Sequence, residues 1–157
     1  NKLGDLYMKI LVDADACPVK NIIEEIAKEY NLPVLMFIDT SHMLSSSYSE
    51  VILVSKAPDA VDFALINRTN RGDIVVTQDY GVAAMALGIE AYAIHPSGKI
   101  FTNQNIDLML MQRHIAKKNR RAGKKVGGHM KKRTIAEDEA FAKGFRFLCQ
   151  KGLSGKL

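Results

Sequence analysis

The sequence predicts an α/β protein of three layers, with a mostly parallel central sheet of about five strands flanked by helices. Two observations carry this. Short apolar runs alternate along the chain with stretches whose apolar residues recur at three- and four-residue spacing, the signature of strands feeding helices. The runs Ile10-Leu11-Val12 and Ile74-Val75-Val76 show no polar alternation, as expected of strands covered on both faces. Residues 8–153 are read as one domain. Asn1 to Tyr7 precede Met8, a plausible initiator, and are expected to be an expression remnant.

The first strand ends in Asp13-Ala14-Asp15. Pro18 fits the first helical position, and Val19, Ile22, Ile23, Ile26, Ala27 and Tyr30 then keep helical spacing until Asn31 and Pro33 stop them. Val34 to Ile38 is a second strand. The polar, serine-rich segment from Asp39 to Ser49 reads as a mobile surface loop ahead of the alternative, a substrate loop, and its His42 has no visible partner and is not expected to be a ligand. Val51 to Val54 makes a third strand, and Pro58 opens a helix with Val61, Ala64 and Leu65 inward. Asp59 and Asp62 share a face of that helix; the helix dipole accounts for Asp59 but less well for Asp62, which lies further in. Ile74 to Thr77 is the most β-branched run and delivers Asp79, while Asp73 precedes the strand and reads as turn chemistry at the opposite edge. A helix from Val82 to Leu87 is expected to close at Gly88 as its cap. Ala91 to Ile94 is a fifth strand, with Lys99 to Phe101 a candidate short edge strand. A helix from about Asn105 turns basic and breaks at Gly123, Gly127 and Gly128. Thr134 and Glu137 form a capping box before a last amphipathic helix carrying Phe141, Phe145 and Leu148.

With 157 residues, 47% of them hydrophobic and 25% charged, the chain can bury a core without staples. It shows no membrane-spanning run and no signal peptide, so a cytoplasmic location is expected. Cys17 and Cys149 stand in unlike contexts and suggest neither a disulfide framework nor a zinc site. Cys149 borders an apolar face, and Cys17 lacks a nearby base for nucleophilic work. The net charge of +5 is unevenly spread: basic residues crowd from Arg113 to Arg133, downstream of the aspartates.

Asp13 and Asp15, two apart on extended backbone, point the same way, and crowded carboxylates need a cation or a proton between them. Either could instead cap the following helix. Strand ends carrying Asp13, Asp15 and Asp79, with Asp62 on a neighbouring helix, would meet at one edge of a parallel sheet. An all-oxygen set of that kind suits Mg²⁺ or Mn²⁺, and such ions promote phosphodiester hydrolysis. Lys117, Lys118, Arg120, Arg121, Lys124 and Lys125 would contact the phosphates of RNA.

The run from Ile10 through Asp13-Ala14-Asp15-Ala16-Cys17-Pro18 to Lys20, the helix from Asp59 to Leu65, the segment from Gly72 to Gly81 and the Asn105-Ile106-Asp107 corner resemble the uncharacterised bacterial YaiI/YqxD family, from Met8 to about Leu153. More remotely, the order strand-Asp, helix-Asp and strand-Thr-x-Asp is similar to the PIN and NYN nuclease domains. That resemblance implies a PIN-like fold with Asp13, Asp62 and Asp79 as metal ligands. It assigns no role to Asp15 or Asp59. The chain departs from the family at Gly127-Gly128-His129-Met130, where a Gly-Pro-Lys turn is usual.

The leading expectation is a metal-dependent ribonuclease acting on single-stranded or loop RNA, with Asp13, Asp15, Asp62 and Asp79 as its acidic residues. Two others stand beside it. One is a catalytically silent RNA-binding module, which leaves the acids unexplained. The other is a phosphatase resembling the haloacid dehalogenases, with Asp13 as nucleophile, for which the downstream lysine and paired acids are missing.

Overall fold

The computed structural model describes residues 7–121 and 132–155. They form, in order, β1 (Ile10–Asp13), α1 (Lys20–Glu29), β2 (Val34–Asp39), β3 (Glu50–Val54), α2 (Ala60–Arg68), β4 (Ile74–Val76), α3 (Tyr80–Gly88), β5 (Tyr92–Ile94), β6 (Ile100–Phe101), α4 (Asn103–Arg121) and α5 (Ile135–Gly155). The strands make one sheet in the order β3-β2-β1-β4-β5-β6, parallel throughout except for the β5–β6 pair. The sixth strand is the short edge piece suggested by the sequence.

Three layers follow from the pleat. Ile10 and Val12 of β1 face one core with Met36, Ile74 and Val76, closed by Ile23 and Ile26 of α1 and by Phe141, Phe145 and Leu148 of α5. Leu11, between them, faces the other with Phe37, Val75 and Ala93, closed by Leu65 of α2, Val82 and Ala86 of α3, and Ile106 and Met109 of α4. Successive strand residues thus serve opposite cores, which is why β1, β2 and β4 are apolar up to their carboxyl ends. Each fully buried Leu, Ile or Phe contributes about 2 kcal/mol.

Strand order sets where a ligand can enter. The chain builds β1, β2 and β3 outward on one side, then crosses by α2 to lay β4 and β5 on the other side of β1. The reversal between β1 and β4 opens a crevice at the carboxyl ends of these strands. Asp13 ends β1 there, and Asp79 follows β4 by a few residues.

Several local expectations change. Helix α1 starts at Lys20, not Pro18, because the chain first makes a turn through Ala16, whose φ is +57°. Helix α2 starts at Ala60, after Asp59 in a left-handed conformation at φ +62°. Helix α3 does end at Gly88, but the left-handed residue that turns the chain is Glu90, so Gly88 is not the cap. Helix α4 starts at Asn103, with the Asn105 and Thr102 side chains each accepting from the other's backbone N–H.

The segment from Asp39 to Ser49 is the largest change. Parallel pairing of β2 with β3 obliges the chain to return across one face of the sheet, so the connection packs instead of floating. Leu44 and Tyr48 lie against the core, and the Tyr48 hydroxyl donates to the Leu32 carbonyl. Ser46 and Ser49 both donate to Glu24 of α1. The β5–β6 hairpin needs glycine: at Gly98, φ is +95°, and a Cβ would come within 2.6 Å of the Ala140 backbone. The Thr134–Glu137 box holds in both directions.

Candidate active site

Two adjoining hollows at the carboxyl edge, about 360 and 270 Å³, meet at Asp13 and Asp15. The first continues to Gln78, Asp79, Tyr80 and Arg113, and the second to Asp39, Asp59 and Asp62. All four acids expected to act together therefore border one cleft.

Each reaches it by a different route. Asp13, the last residue of β1, accepts a 3.2 Å hydrogen bond from Thr77 Oγ1 on its Oδ2, a tie across the β1–β4 gap. Burial pushes its carboxyl up to about 6; the Thr77 bond opposes this, and the negative charges of Asp62, Asp15 and Asp79 add to it. Asp62, in the first turn of α2, is also raised, by burial and then by Asp79 and Asp59, against the pull of Arg113. Asp79 caps α3: its Oδ1 accepts from Gly81 N at 2.7 Å and Val82 N at 3.2 Å. Arg113 Nη1, from α4, stands 3.6 Å from that oxygen.

Asp15 corrects one alternative drawn from the sequence. Neither it nor Asp13 caps α1, because the helix begins too late, at Lys20 with Val19 as its N-cap, and no side chain bonds its N-terminus. Asp15 Oδ1 is instead buried with no hydrogen bond. The side chain facing it is His42, whose Nδ1 lies 3.1 Å from Asp15 Oδ1 and also 3.1 Å from Asp39 Oδ1. The sequence reading set His42 aside for want of a partner; the return crossing after β2 brings it back over the strand ends. Asp39 is held down to about 2 by hydrogen bonds from Ser41 and His42.

Two further residues escaped the sequence reading. Thr77 lay in plain view beside Asp79, but its bond to Asp13 depends on which strands are neighbours. Arg113 counted as one of many basic residues until α4 packed on α3 and aimed it at Asp79. From Arg113 the helix carries its positive charge away from the cleft: His114, Lys117, Lys118 and Arg121 line a shallow hollow of their own, and Arg120 is exposed beside them. Lys124, Lys125 and the glycine-rich stretch from Gly123 to Met130 lie outside the described residues.

The cysteines play no visible part. Burial raises the Cys17 thiol above its ordinary value and pushes Cys149 to about 12, so neither is a ready thiolate. A larger hollow, about 440 Å³, lies at the opposite edge among Arg71, Gly72, Glu90 and Tyr92; Arg71 already pairs with Glu90 at 3.0 Å, and among the described residues no acid cluster faces it.

The sequence model of the uncharacterised YaiI/YqxD family matches residues 11–151, nearly the whole described chain. The chain belongs to the YaiI/YqxD family. Its relatives include a UPF0178 protein of Lachnoclostridium phytofermentans, 67% identical over 136 residues that cover 85% of this chain and 91% of that one. A UPF0178 protein of Clostridium acetobutylicum is 60% identical over 148 residues, 92% of this chain and 99% of that one. No solved structure matches. For this YaiI/YqxD member, no helix among the described residues is long and apolar enough to cross a membrane.

Proposed function

We propose that this YaiI/YqxD protein is a divalent-metal-dependent ribonuclease of PIN-like type. The observation that carries the reading is the meeting of Asp13, Asp15, Asp62 and Asp79 in one cleft at the β1/β4 switch point, at the head of a basic helix. The donor set fits a hard cation. It is all oxygen, the Asp13 and Asp62 carboxyls are raised by burial and by the neighbouring acids, and Asp15 Oδ1 is buried without a donor. Asp13, Asp62 and Asp79 would hold Mg²⁺ or Mn²⁺, with Asp15 binding the ion or orienting water. Bound there, the ion supplies positive charge to both the attacking water and the leaving oxygen of a phosphodiester.

The protein's own groups do the rest. Thr77 keeps Asp13 turned into the cleft, and the α3 N–H groups fix Asp79 Oδ1, leaving Oδ2 for other contacts. Arg113 offsets the acid charge at the mouth and can meet the phosphate next to the scissile one. Lys117, Lys118, Arg120 and Arg121 follow along α4, spanning about 12 Å from Arg113 at the helical rise, and would hold the backbone on one side of the bond.

The test is cleavage of an end-labelled mixed-structure RNA in Mn²⁺, Mg²⁺ or EDTA, with Asp79→Asn run alongside. Asn is as good an N-cap as Asp, so this variant keeps α3 intact and isolates the charge. Metal-dependent products absent from the variant are expected; equal cleavage by the variant overturns the assignment. Tight, salt-sensitive and metal-indifferent binding without products points to the silent RNA-binding module, and a trapped phospho-aspartate at Asp13 to the phosphatase.

A further inference from the structure

We infer that Asp15, Asp39 and His42 form a second cation site beside the acidic cleft, one that takes a transition metal such as Mn²⁺, Co²⁺ or Zn²⁺ in preference to Mg²⁺. One ligand atom from each residue lies within 4.8 Å of the others, a spacing that a single ion can span. Three separate pieces of chain supply them: the turn after β1, the end of β2, and the return segment three residues beyond.

The geometry asks for positive charge at this point. His42 Nδ1 faces two carboxylate oxygens at 3.1 Å each, and one of these, Asp15 Oδ1, is buried yet accepts no hydrogen bond. Either a proton on the ring or a cation shared by all three groups meets that need. The surroundings favour the cation. Asp39 is fixed in place by the Ser41 N–H at 2.8 Å and by the Ser41 hydroxyl, the outer-shell support that metal-binding carboxylates have. The side chains remain reachable, with exposures of 49% for His42, 24% for Asp15 and 26% for Asp39, so an ion could enter and keep open positions.

The imidazole sets the selectivity. Mg²⁺ prefers oxygen donors and octahedral water-rich shells, whereas nitrogen ligands suit the later first-row metals. The cleft would then offer two unlike positions: an all-oxygen one around Asp13, Asp62 and Asp79, and a mixed one around Asp15, Asp39 and His42. The second stands on its own geometry and does not depend on cleavage chemistry.

Titration with Co²⁺, read by its visible absorption and by equilibrium dialysis, tests this on the full chain. Wild-type protein should bind Co²⁺ with a ligand-field band, displaced by Zn²⁺ or Mn²⁺ but not by equal Mg²⁺. His42→Ala and Asp39→Asn should each weaken that binding about tenfold or more. The band should persist in Mg²⁺ sufficient to fill the all-oxygen position around Asp13, which separates this outcome from failure of the nuclease reading. As a second readout, a substoichiometric amount of Mn²⁺ should broaden the His42 ring signals in the wild-type NMR spectrum before those of the other histidines. Unchanged Co²⁺ affinity in His42→Ala, displacement by equal Mg²⁺, or unbroadened His42 signals would overturn the site and leave His42 as an ion-pair partner alone.

Discussion

Asp73 and Asp13 stand at the opposite ends of two neighbouring central strands, Asp73 just before β4 and Asp13 at the end of β1, and their surroundings are opposite too. Asp73 is fully buried and fully matched: Lys9 N donates at 3.0 Å, Lys9 Nζ at 2.7 Å and Asn70 N at 2.8 Å. Asp13, at the far end of β1, has only the Thr77 hydroxyl at 3.2 Å and three acids for company. A buried carboxylate with enough donors stabilises a fold, and one among like charges does not. The amino edge is therefore built for stability, and the carboxyl edge carries an unmet electrostatic demand that an added cation would meet.

The contrast can be broken most severely at the matched edge. Asp73→Ala would leave the Lys9 ammonium, only 12% exposed, without its partner. We expect a loss on the order of 3–5 kcal/mol in urea unfolding. A loss under about 1 kcal/mol would mean that the Lys9 side chain escapes to water.

At the unmatched edge the same kind of change should act the other way. The Asp13 carboxyl titrates near 6 in the folded chain against 3.8 ordinarily, so the folded state holds the proton more tightly. Stability of the metal-free protein therefore falls as pH rises from 3.8 to about 6, and the penalty is complete above that. Asp13→Asn should stabilise the protein in EDTA above pH 6 by on the order of 2 kcal/mol, allowing for solvent screening, with the gain gone near pH 4. Chemical denaturation at the two pH values checks the sign.

Metal sharpens the comparison from the other side. Mg²⁺, which the mixed site around His42 disfavours, should at about 100 times its dissociation constant raise unfolding free energy by roughly 2.7 kcal/mol. The increase should shrink below pH 6, where Asp13 takes up its proton, and be largely lost in Asp13→Asn. Equal stabilisation of wild type and variant would place the ion elsewhere.

The smallest effect belongs to Asp79, whose work is divided between the two kinds of surroundings. Asp79→Ala should cost about 1 kcal/mol through its lost bonds to Gly81 and Val82, while Asp79→Asn should cost almost nothing in EDTA. Thermal melts of the pair distinguish the cap from the charge.

Much of this was legible along the chain. The apolar run before Asp13 and the β-branched run before Asp79 place both acids at strand ends, because a strand's length and its following helix are local matters. Asp73 likewise read as turn chemistry at the opposite edge, and the Thr134–Glu137 box needed four residues alone. Less visible was anything that depends on two distant segments being neighbours. Asp15 was a plausible helix cap until the left-handed turn at Ala16 delayed α1. His42 looked idle because nothing in its own loop shows that parallel β2–β3 pairing sends the chain back over the Asp15 turn.

Local pattern thus established the α/β class, the double-sided burial of the central strands and the acid at each strand end, since periodicity and capping act over a few residues. Which acids share a cleft, which arginine meets them and which histidine faces Asp15 came from the order β3-β2-β1-β4-β5-β6. Strand neighbours are chosen by the burial of two whole cores at once, a sum over the entire chain that no short stretch contains.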